Sequence, residues 1–404
     1  MLPLHVLRAA LRARPVLRAA AAAGGALCFG LGGAALSSAA AAPSPSAPAA
    51  AAATADSSVV GTRNAGFYSS RRGSSGGVQL SPLALQRDWD VVVVGGGIIG
   101  LATAAELLKR HPSLRVAVLE SGAEVAPHQT GHNSGVIHAG MYYEPGSVMA
   151  KTCVRGAALM YAYARARALP HDACGKLIVA ANEREGAAVR ELYSRGVANG
   201  VPGLRVLTGA EVAAMEPAVS AAHSALWSPN TGVIDYGLVS RSLAQDIVDS
   251  GRGDVKLRFE LTSVEEGAAG GPDAGRLLLR GVEPGQAGPL KTVTAAHVIT
   301  CAGFYADRVA QLAGGKPDPK IVTFRGTYWQ MKPPYKDIVR TNVYPVPTGG
   351  GIPVGVHFTP TVNERRGHQM IVGPGACISF SREGYKMSDV SSVVGGVEGG
   401  EVCD

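Results

Sequence analysis

The chain has 404 residues, of which 46% are hydrophobic and 17% charged, so it can bury a large core and is long enough for two domains. Its net charge of +7 lies entirely in residues 1–87, which contain eight Arg, no Lys and one Asp, and the remainder, with 30 basic and 30 acidic residues, offers no case for nucleic-acid binding. Six widely spaced cysteines without a Cys-x-x-Cys pair argue against a zinc site or a disulfide framework and fit a reducing compartment.

Residues 1–87 have the composition of a targeting leader and linker. Leu4, Leu7 and Leu11 lie on one face of a potential amphipathic helix, with arginines interleaved in the sequence. No acidic residue precedes Asp56, and this pattern is typical of a mitochondrial presequence. The uncharged stretch 19–55 is rich in Ala, Gly, Ser and Pro, so a transmembrane span or a secretory signal is the less favoured interpretation. We expect cleavage before Asp88.

A glycine-rich turn between a strand and a helix is the strongest motif. The β-branched run Val91–Val94 predicts a buried parallel strand, and it leads into Gly95-x-Gly97-x-x-Gly100, after which the apolar positions have helical spacing. Gly95 permits the tight turn, Gly97 lets the backbone approach a pyrophosphate, and Gly100 allows close helix packing. A second apolar strand ends at Glu120, whose carboxylate would bind a ribose diol and repel a 2′-phosphate.

This arrangement of strand, glycine turn, helix, strand and acid predicts a site for FAD or NAD, and not for NADP. The alternative is a glycine-rich turn of an α/β protein that binds no ligand.

A polar loop follows, containing His132, Asn133, Ser134 and Gly135, and it leads to His138. Small residues let such a loop lie against a planar ring, and its backbone N–H groups can serve flavin oxygens or a phosphate. A polar turn capped by Ser134 is the alternative on local grounds.

Together, the glycine-rich unit and the segment His-Asn-Ser-Gly-Val-Ile-His-Ala-Gly-Met-Tyr-Tyr-Glu-Pro-Gly-Ser resemble the FAD-dependent L-2-hydroxyglutarate dehydrogenases of the glycine-oxidase and D-amino-acid-oxidase superfamily. The similarity covers about residues 88–385. It implies FAD as the cofactor, with the loop from His132 to Gly135 under the flavin and the strand-to-turn segment at Gly303 closing over the FAD.

The rest of the chain predicts four further helices and eight further strands. The expected helices are 148–168, 183–200, 209–217 and 238–250, and the expected strands are 174–180, 255–259, 261–264, 298–301, 321–331, 342–347, 355–360 and 369–375. The last four strands predict an antiparallel sheet over the flavin.

The predicted fold class is therefore α/β, with a Rossmann-like FAD-binding domain and an interleaved α+β substrate domain that carries the antiparallel sheet. The FAD-binding domain takes residues 88–170 and 229–318, and the substrate domain takes 171–228 and 319–385. Residues 386–404 have low apolar bulk and are expected to be a disordered tail. The resembling family continues further, so we expect a truncated or alternatively ended form, in which FAD retention and activity are open questions.

Oxidation of a 2-hydroxy acid needs a hydride acceptor, a base for the hydroxyl proton and cations for the carboxylates. Histidine titrates in the suitable range, so His138 and His357 are the candidates for the base. Arg325 could bind a carboxylate through two parallel hydrogen bonds, and Tyr344 is a further hydrogen-bonding candidate. Each of these residues also has a purely structural interpretation, and no metal-ligand spacing stands out in the sequence.

The resemblance implies mitochondrial oxidation of L-2-hydroxyglutarate to 2-oxoglutarate as metabolite repair. Electrons would pass to an acceptor other than oxygen, with a membrane quinone or a flavoprotein as the candidates. The protein would lie in the mitochondrial matrix or peripherally on the inner membrane. Three alternatives stay open: an oxygen-using amine or amino-acid oxidase of the same superfamily, an NAD-linked dehydrogenase, and a catalytically inactive isoform.

Overall fold

The computed structural model describes residues 88–285, 288–347, 355–386 and 389. The predicted presequence and linker, residues 1–87, lie outside the described residues, and so does the predicted tail apart from Lys386 and Asp389.

The described residues form sixteen strands, six α-helices and three short 3₁₀ helices. The strands are β1 (Asp88–Val94), β2 (Val116–Leu119), β3 (Val136–Ile137), β4 (His171–Asp172), β5 (Lys176–Ala180), β6 (Arg205–Thr208), β7 (Ser224–Ser228), β8 (Gly232–Ile234), β9 (Gly253–Lys256), β10 (Glu260–Glu266), β11 (Leu277–Val282), β12 (Lys291–Thr300), β13 (Phe324–Gln330), β14 (Asn342–Pro345), β15 (His357–Asn363) and β16 (Gly367–Ile378). The α-helices are α1 (Ile98–Arg110), α2 (Val148–Ala166), α3 (Glu183–Ala198), α4 (Gly209–Met215), α5 (Tyr236–Asp249) and α6 (Ala306–Leu312). Short 3₁₀ helices span Pro217–Val219, Gly303–Tyr305 and Pro333–Tyr335.

A six-stranded sheet contains the glycine-rich unit, in the order β10-β11-β12-β1-β2-β9. Strands β12, β1, β2 and β9 are parallel, and β11 and β10 continue the sheet antiparallel. Val91 and Val93 pack on the face covered by α1 and α5, whereas Val92 and Val94 pack with Phe259 on the opposite face. Burial of both faces explains why β1 is an uninterrupted β-branched run.

One predicted strand has different bounds in the structure. We expected 255–259, but β9 ends at Lys256 because the chain turns at Arg258, which has a φ of +54°. Phe259 is nevertheless buried, since it packs in the core beside the sheet.

A seven-stranded sheet has the order β13-β16-β15-β14-β5-β7-β6. Its strand pairs are antiparallel except for β14 and β5, which run parallel with Asn342 opposite Lys176. The four strands predicted to form an antiparallel sheet, β13 to β16, do pair antiparallel, and β5 joins them through this parallel pair. The parallel pairing matters for function because it places β5, β14 and β15 side by side.

A small sheet, β3-β8-β4, links these two parts of the molecule. Strand β3 follows directly on the polar loop that ends at Gly135, and His138 comes directly after β3. The predicted domain boundaries stay a prediction. Within the described ranges, no helix has both the length and the apolar character needed to cross a membrane.

Candidate functional site

The start of α1 lies where the glycine turn meets the end of β12. A Cβ atom on Gly95 would lie 2.4 Å from the carbonyl oxygen of Cys301, and one on Gly100 would lie 1.9 Å from the carbonyl oxygen of Gly95. Gly95 also has a φ of +111°, a conformation that favours glycine. These two glycines are therefore required by the packing of the turn itself.

Gly97 differs from these two glycines because it has open space beside it. Whether that space suits a pyrophosphate tests whether a dinucleotide fits the turn. A Cβ on Gly97 would meet only Thr130 Oγ1, at 3.4 Å, so the folded protein alone does not need glycine here. Gly97 is the N-cap of α1 and makes no side-chain capping bond. A helix N-terminus whose N-cap residue has no side chain, beside open space, fits the pyrophosphate of a dinucleotide.

Glu120 lies beside this turn at the end of β2, where it is buried. Its Oε2 accepts a hydrogen bond from the backbone N–H of Gly96 at 2.8 Å, and its Oε1 accepts one from Gly122 at 2.7 Å. The backbone therefore fixes the carboxylate in place. Oε1 also accepts a hydrogen bond from the Ser121 hydroxyl at 3.2 Å, so Oε2 is the oxygen that keeps a lone pair for a ribose hydroxyl.

The polar loop contacts the same turn through Thr130, whose Oγ1 accepts a hydrogen bond from the backbone N–H of Ile98 at 3.2 Å. The Asn133 side chain holds the loop in shape, because its amide donates to the Thr130 carbonyl and its oxygen accepts from the Gly135 N–H. Asn133 thus contributes through the backbone it orders. The His132 ring packs on Tyr385 with 4.5 Å between centroids.

Gly303 of the second strand-to-turn segment also lies near this loop. It has a φ of +54°, and a Cβ there would be 3.6 Å from Oε1 of Gln129, which precedes Thr130 in the loop. The three segments predicted to surround FAD are therefore neighbours in the structure.

The second part of the site is a cluster of His138, Lys176, Tyr344 and His357, which we call the histidine cluster. The rings of Tyr344 and His357 are stacked, with 3.8 Å between centroids and 13° between planes. Lys176 places Nζ 3.7 Å from the centroid of the Tyr344 ring and 3.4 Å from Nδ1 of His138. Both predicted histidines and the predicted tyrosine are thus brought together.

His357 has a defined hydrogen-bonding state. Its Nδ1 lies 2.9 Å from the carbonyl oxygen of Gly355, which can only accept, so Nδ1 carries the proton and Nε2 presents a lone pair. Nε2 is buried and has no hydrogen-bond partner among the residues that the structure describes. Burial, together with the nearby Lys176, lowers the pKa of His357 to about 4.

Lys176 is the residue that the sequence analysis missed. Its side chain is 1% exposed, and burial lowers its pKa to about 7. Burial also lowers the pKa of His138 well below its usual value, with smaller contributions from Lys176 and His357. The sequence contains one signal that could have identified Lys176: it is a lysine at the start of an otherwise apolar strand, Lys176–Ala180.

Tyr328 connects the polar loop to the histidine cluster and was also missed. Its side chain is hydrogen-bonded to Ser134, and its ring meets His357 edge-on with 6.1 Å between centroids. The side chain of Tyr328 therefore bridges the loop predicted to lie under the flavin and the candidate base His357.

Arg325 lies beyond the histidine cluster on the same sheet. It is opposite Cys377 on β16, whereas His357 is opposite Gly373, four residues or roughly 13 Å away along that strand. Its Nη1 donates to the carbonyl oxygen of Gly384 at 3.4 Å. Its role as a carboxylate ligand stays a prediction.

A second basic residue, Arg366, lines a cavity beside the polar loop. The other lining residues include Asn133, Ser134, Asp235 and Asn363. Arg366 lies close enough to Tyr328 to lower the pKa of that phenol, although burial dominates and raises it. The turn between β15 and β16, which carries Arg366, was not considered in the sequence analysis.

The fold and the dinucleotide site define a flavin-dependent oxidoreductase. The sequence model described as "FAD dependent oxidoreductase" (DAO) matches residues 90–392, so the chain belongs to that family, and FAD is its cofactor. Among solved structures, the L-alpha-glycerophosphate oxidase of Mycoplasma pneumoniae with FAD bound has a TM-score of 0.61 and 29% identity over 72% of both chains. Glycine oxidase from Geobacillus kaustophilus, at 21% identity, has a TM-score of 0.56 over 72% of both chains and shows the same fold.

Curated relatives narrow this assignment. The mitochondrial L-2-hydroxyglutarate dehydrogenase of Homo sapiens is 42% identical over 335 residues, which are 81% of this chain and 69% of the human protein. The Dictyostelium discoideum protein of the same name is 40% identical over 74% of this chain and 67% of its own length. The chain therefore belongs to the L-2-hydroxyglutarate dehydrogenase family.

Proposed function

We propose that this protein oxidises L-2-hydroxyglutarate to 2-oxoglutarate with FAD as the hydride acceptor. The names of its relatives supply the substrate, and the family supplies the cofactor. The single observation that carries the proposal is Nε2 of His357, which has no hydrogen-bond partner among the described residues and is held in a buried cluster next to the loop that contains Ser134. Such a lone pair is what removal of a hydroxyl proton requires.

The protein's own residues then have distinct tasks. The glycine turn at Gly97 and the carboxylate of Glu120 would hold the pyrophosphate and the ribose of FAD. When bound, FAD accepts the hydride from C2 of the substrate. His357 takes the hydroxyl proton on Nε2. The alcohol thus loses a hydride from C2 and a proton from its oxygen, and it becomes a carbonyl. Tyr344 fixes the ring plane of His357 by stacking.

Two carboxylates of the substrate need cationic partners. We assign them to Arg325 and Arg366, the first half-buried on β13 and the second facing the cavity beside Ser134. Guanidinium groups suit this task because they bind a carboxylate with two parallel hydrogen bonds.

The cellular setting follows from the same relatives, which are named mitochondrial. We place the protein in the mitochondrion, with peripheral association with the inner membrane and transfer of electrons from reduced FAD to a membrane quinone or a flavoprotein. Respiration-linked turnover in isolated mitochondrial membranes, blocked by inhibitors of quinone reoxidation, would support this placement.

The test of the proposed reaction uses the full chain supplied with FAD. Addition of L-2-hydroxyglutarate under anaerobic conditions should bleach the flavin absorbance at about 450 nm. The D-isomer and glycine should have no effect on it. Bleaching by glycine alone, or peroxide release matched to substrate use in air, would contradict the proposal and favour an oxygen-using amine or amino-acid oxidase.

A further inference from the structure

Lys176 is a buried cation with no carboxylate beside it in the part of the chain that the structure describes. The titratable groups that face it come from every neighbouring element: His138 after β3, Tyr142 in the following segment, Cys153 on α2, Cys174 before β5, Tyr344 on β14 and His357 on β15. Among the residues that the structure describes, none of the ion pairs includes Lys176. Such a group is costly to bury and needs a reason to be retained.

The contacts that the ammonium does make are of two kinds. The rings of Tyr344 and Tyr142 offer their faces, with centroids 3.7 Å and 5.4 Å from Nζ. The other contact is Nδ1 of His138 at 3.4 Å. An ammonium has three donors and no acceptor, so Nδ1 must accept in this pair.

We propose that Lys176 is a positioning residue that locks His138 in the neutral tautomer with the proton on Nε2. His138 is then a hydrogen-bond donor at Nε2 and cannot act as a base through either nitrogen. This inference rests on the proposed oxidation, in which the second histidine is the base, and it separates the roles of the two predicted candidates.

The two histidines therefore have opposite tautomers for two separate structural reasons. In His357 the Gly355 carbonyl holds the proton on Nδ1 and leaves Nε2 free to accept. In His138 the Lys176 ammonium occupies Nδ1 and leaves a proton on Nε2 to donate. A pair of one acceptor and one donor suits an alcohol that becomes a carbonyl, because the base removes the hydroxyl proton and the donor stabilises the oxygen.

Nitrogen-15 NMR of the FAD-loaded full chain, labelled at histidine, measures the tautomer directly. Long-range proton–nitrogen correlations distinguish protonated from unprotonated ring nitrogens, and a His138→Gln sample assigns the His138 signals. At roughly one pH unit below the pKa of Lys176 we expect a neutral His138 with the proton on Nε2. A proton on Nδ1, or a cationic ring, would overturn the inference without affecting the proposed reaction.

Lys176→Met removes the donor while keeping the length and apolar stem. We expect part of the His138 population to be protonated on Nδ1 in this variant, and kcat to fall about tenfold because that part lacks the Nε2–H donor. In the parent protein, loss of the Lys176 proton should make kcat/KM decline above about pH 7. The variant should not show this decline. Lys291→Met is the matched control, since Lys291 lies on β12 and pairs with Glu283.

The control should leave the tautomer and the pH profile unchanged. If Lys176→Met folds, binds FAD and keeps the tautomer of His138, Lys176 has only a structural role and the inference is wrong. If Lys176→Met does not fold, the measurement on the parent protein still decides.

Discussion

His357 and Tyr344 lie on neighbouring strands with their rings parallel and 3.8 Å apart. Burial raises the pKa of Tyr344, so the phenol stays neutral, and it also keeps His357 uncharged at neutral pH. The stacking fixes the plane of the imidazole, and the hydrogen bond to Gly355 fixes its rotation within that plane. Because the imidazole is already oriented, the reaction does not bear the entropy cost of orienting the base.

Replacing His357 by Gln should remove the base and leave the fold and the cofactor in place. We expect kcat to fall by about 10²–10⁴-fold, the range typical of a general base. Anaerobic stopped-flow reduction by L-2-hydroxyglutarate measures the loss, and the visible spectrum shows whether FAD is retained.

His297→Gln is the control for that variant, because His297 is exposed on β12 in the other sheet. It should react like the parent protein. If His357→Gln reduced FAD at the parent rate while His138→Gln did not, the two histidines would have to exchange roles.

Two substitutions of Tyr344 separate its ring from its hydroxyl. Tyr344→Phe keeps the stacking on His357 and should retain activity to within about tenfold, the cost of one hydrogen bond. Tyr344→Leu removes the aromatic face that contacts both His357 and Lys176, and we expect a larger loss of kcat because the imidazole is no longer held in one plane.

The measurement is steady-state kcat and KM for both variants with an artificial electron acceptor. Equal losses in the two variants would show that the phenol hydroxyl takes part in the chemistry. That outcome would restore Tyr344 as a catalytic candidate in its own right.

Two glycines of the first turn are expected to respond differently to Ala. A Cβ on Gly100 would collide with backbone at 1.9 Å, so Gly100→Ala should lower the free energy of unfolding by about 1–3 kcal/mol or more. A Cβ on Gly97 meets only a side-chain oxygen at 3.4 Å, so Gly97→Ala should unfold like the parent protein without FAD. It should bind FAD about tenfold or more weakly, because the methyl occupies the path of the pyrophosphate.

Urea unfolding without added FAD and fluorescence titration with FAD make this comparison. Parent-like affinity in Gly97→Ala would mean that the pyrophosphate lies elsewhere. Loss of stability in Gly97→Ala would mean that the turn is more tightly packed than the structure shows.

The glycine-rich unit was predictable because all its signals are local. Val91–Val94, the three glycines and Glu120 lie within 30 residues, and each has a physical reason that applies before the fold is known. Strand β11 was missed because it is a short apolar run between glycine-rich segments. Its partner β12 was predicted only at its end, where small residues mark a turn.

The histidine cluster could be predicted only in part. His357 and Tyr344 were chosen by residue type, but nothing local indicates that they stack. Lys176 reaches them through a parallel pairing of β5 with β14, and these strands are more than 150 residues apart in the sequence. Such a pairing has no signal in a single sequence, so a buried lysine at a strand start was indistinguishable from a surface one.

The lowered pKa of His357 also predicts how stability depends on pH. An unfolded chain takes up a proton on this imidazole near its usual pKa of about 6.5, whereas the folded protein does so only near pH 4. Between these values the unfolded state binds more protons, so the free energy of unfolding falls as the pH decreases from about 6.5 to 4. The total loss from this one group is about 3 kcal/mol.

Comparing the parent protein with His357→Gln isolates this contribution. On going from pH 7 to pH 4, the free energy of unfolding of the parent should fall more steeply than that of the variant. The total drop should be larger in the parent by about 3 kcal/mol. Urea unfolding followed by circular dichroism at half-unit pH steps measures it, with His297→Gln as the control that keeps the buried imidazole. Parallel curves for the parent protein and His357→Gln would mean that His357 takes up its proton as easily in the folded state as in the unfolded one, and the buried, uncharged base would have to be abandoned.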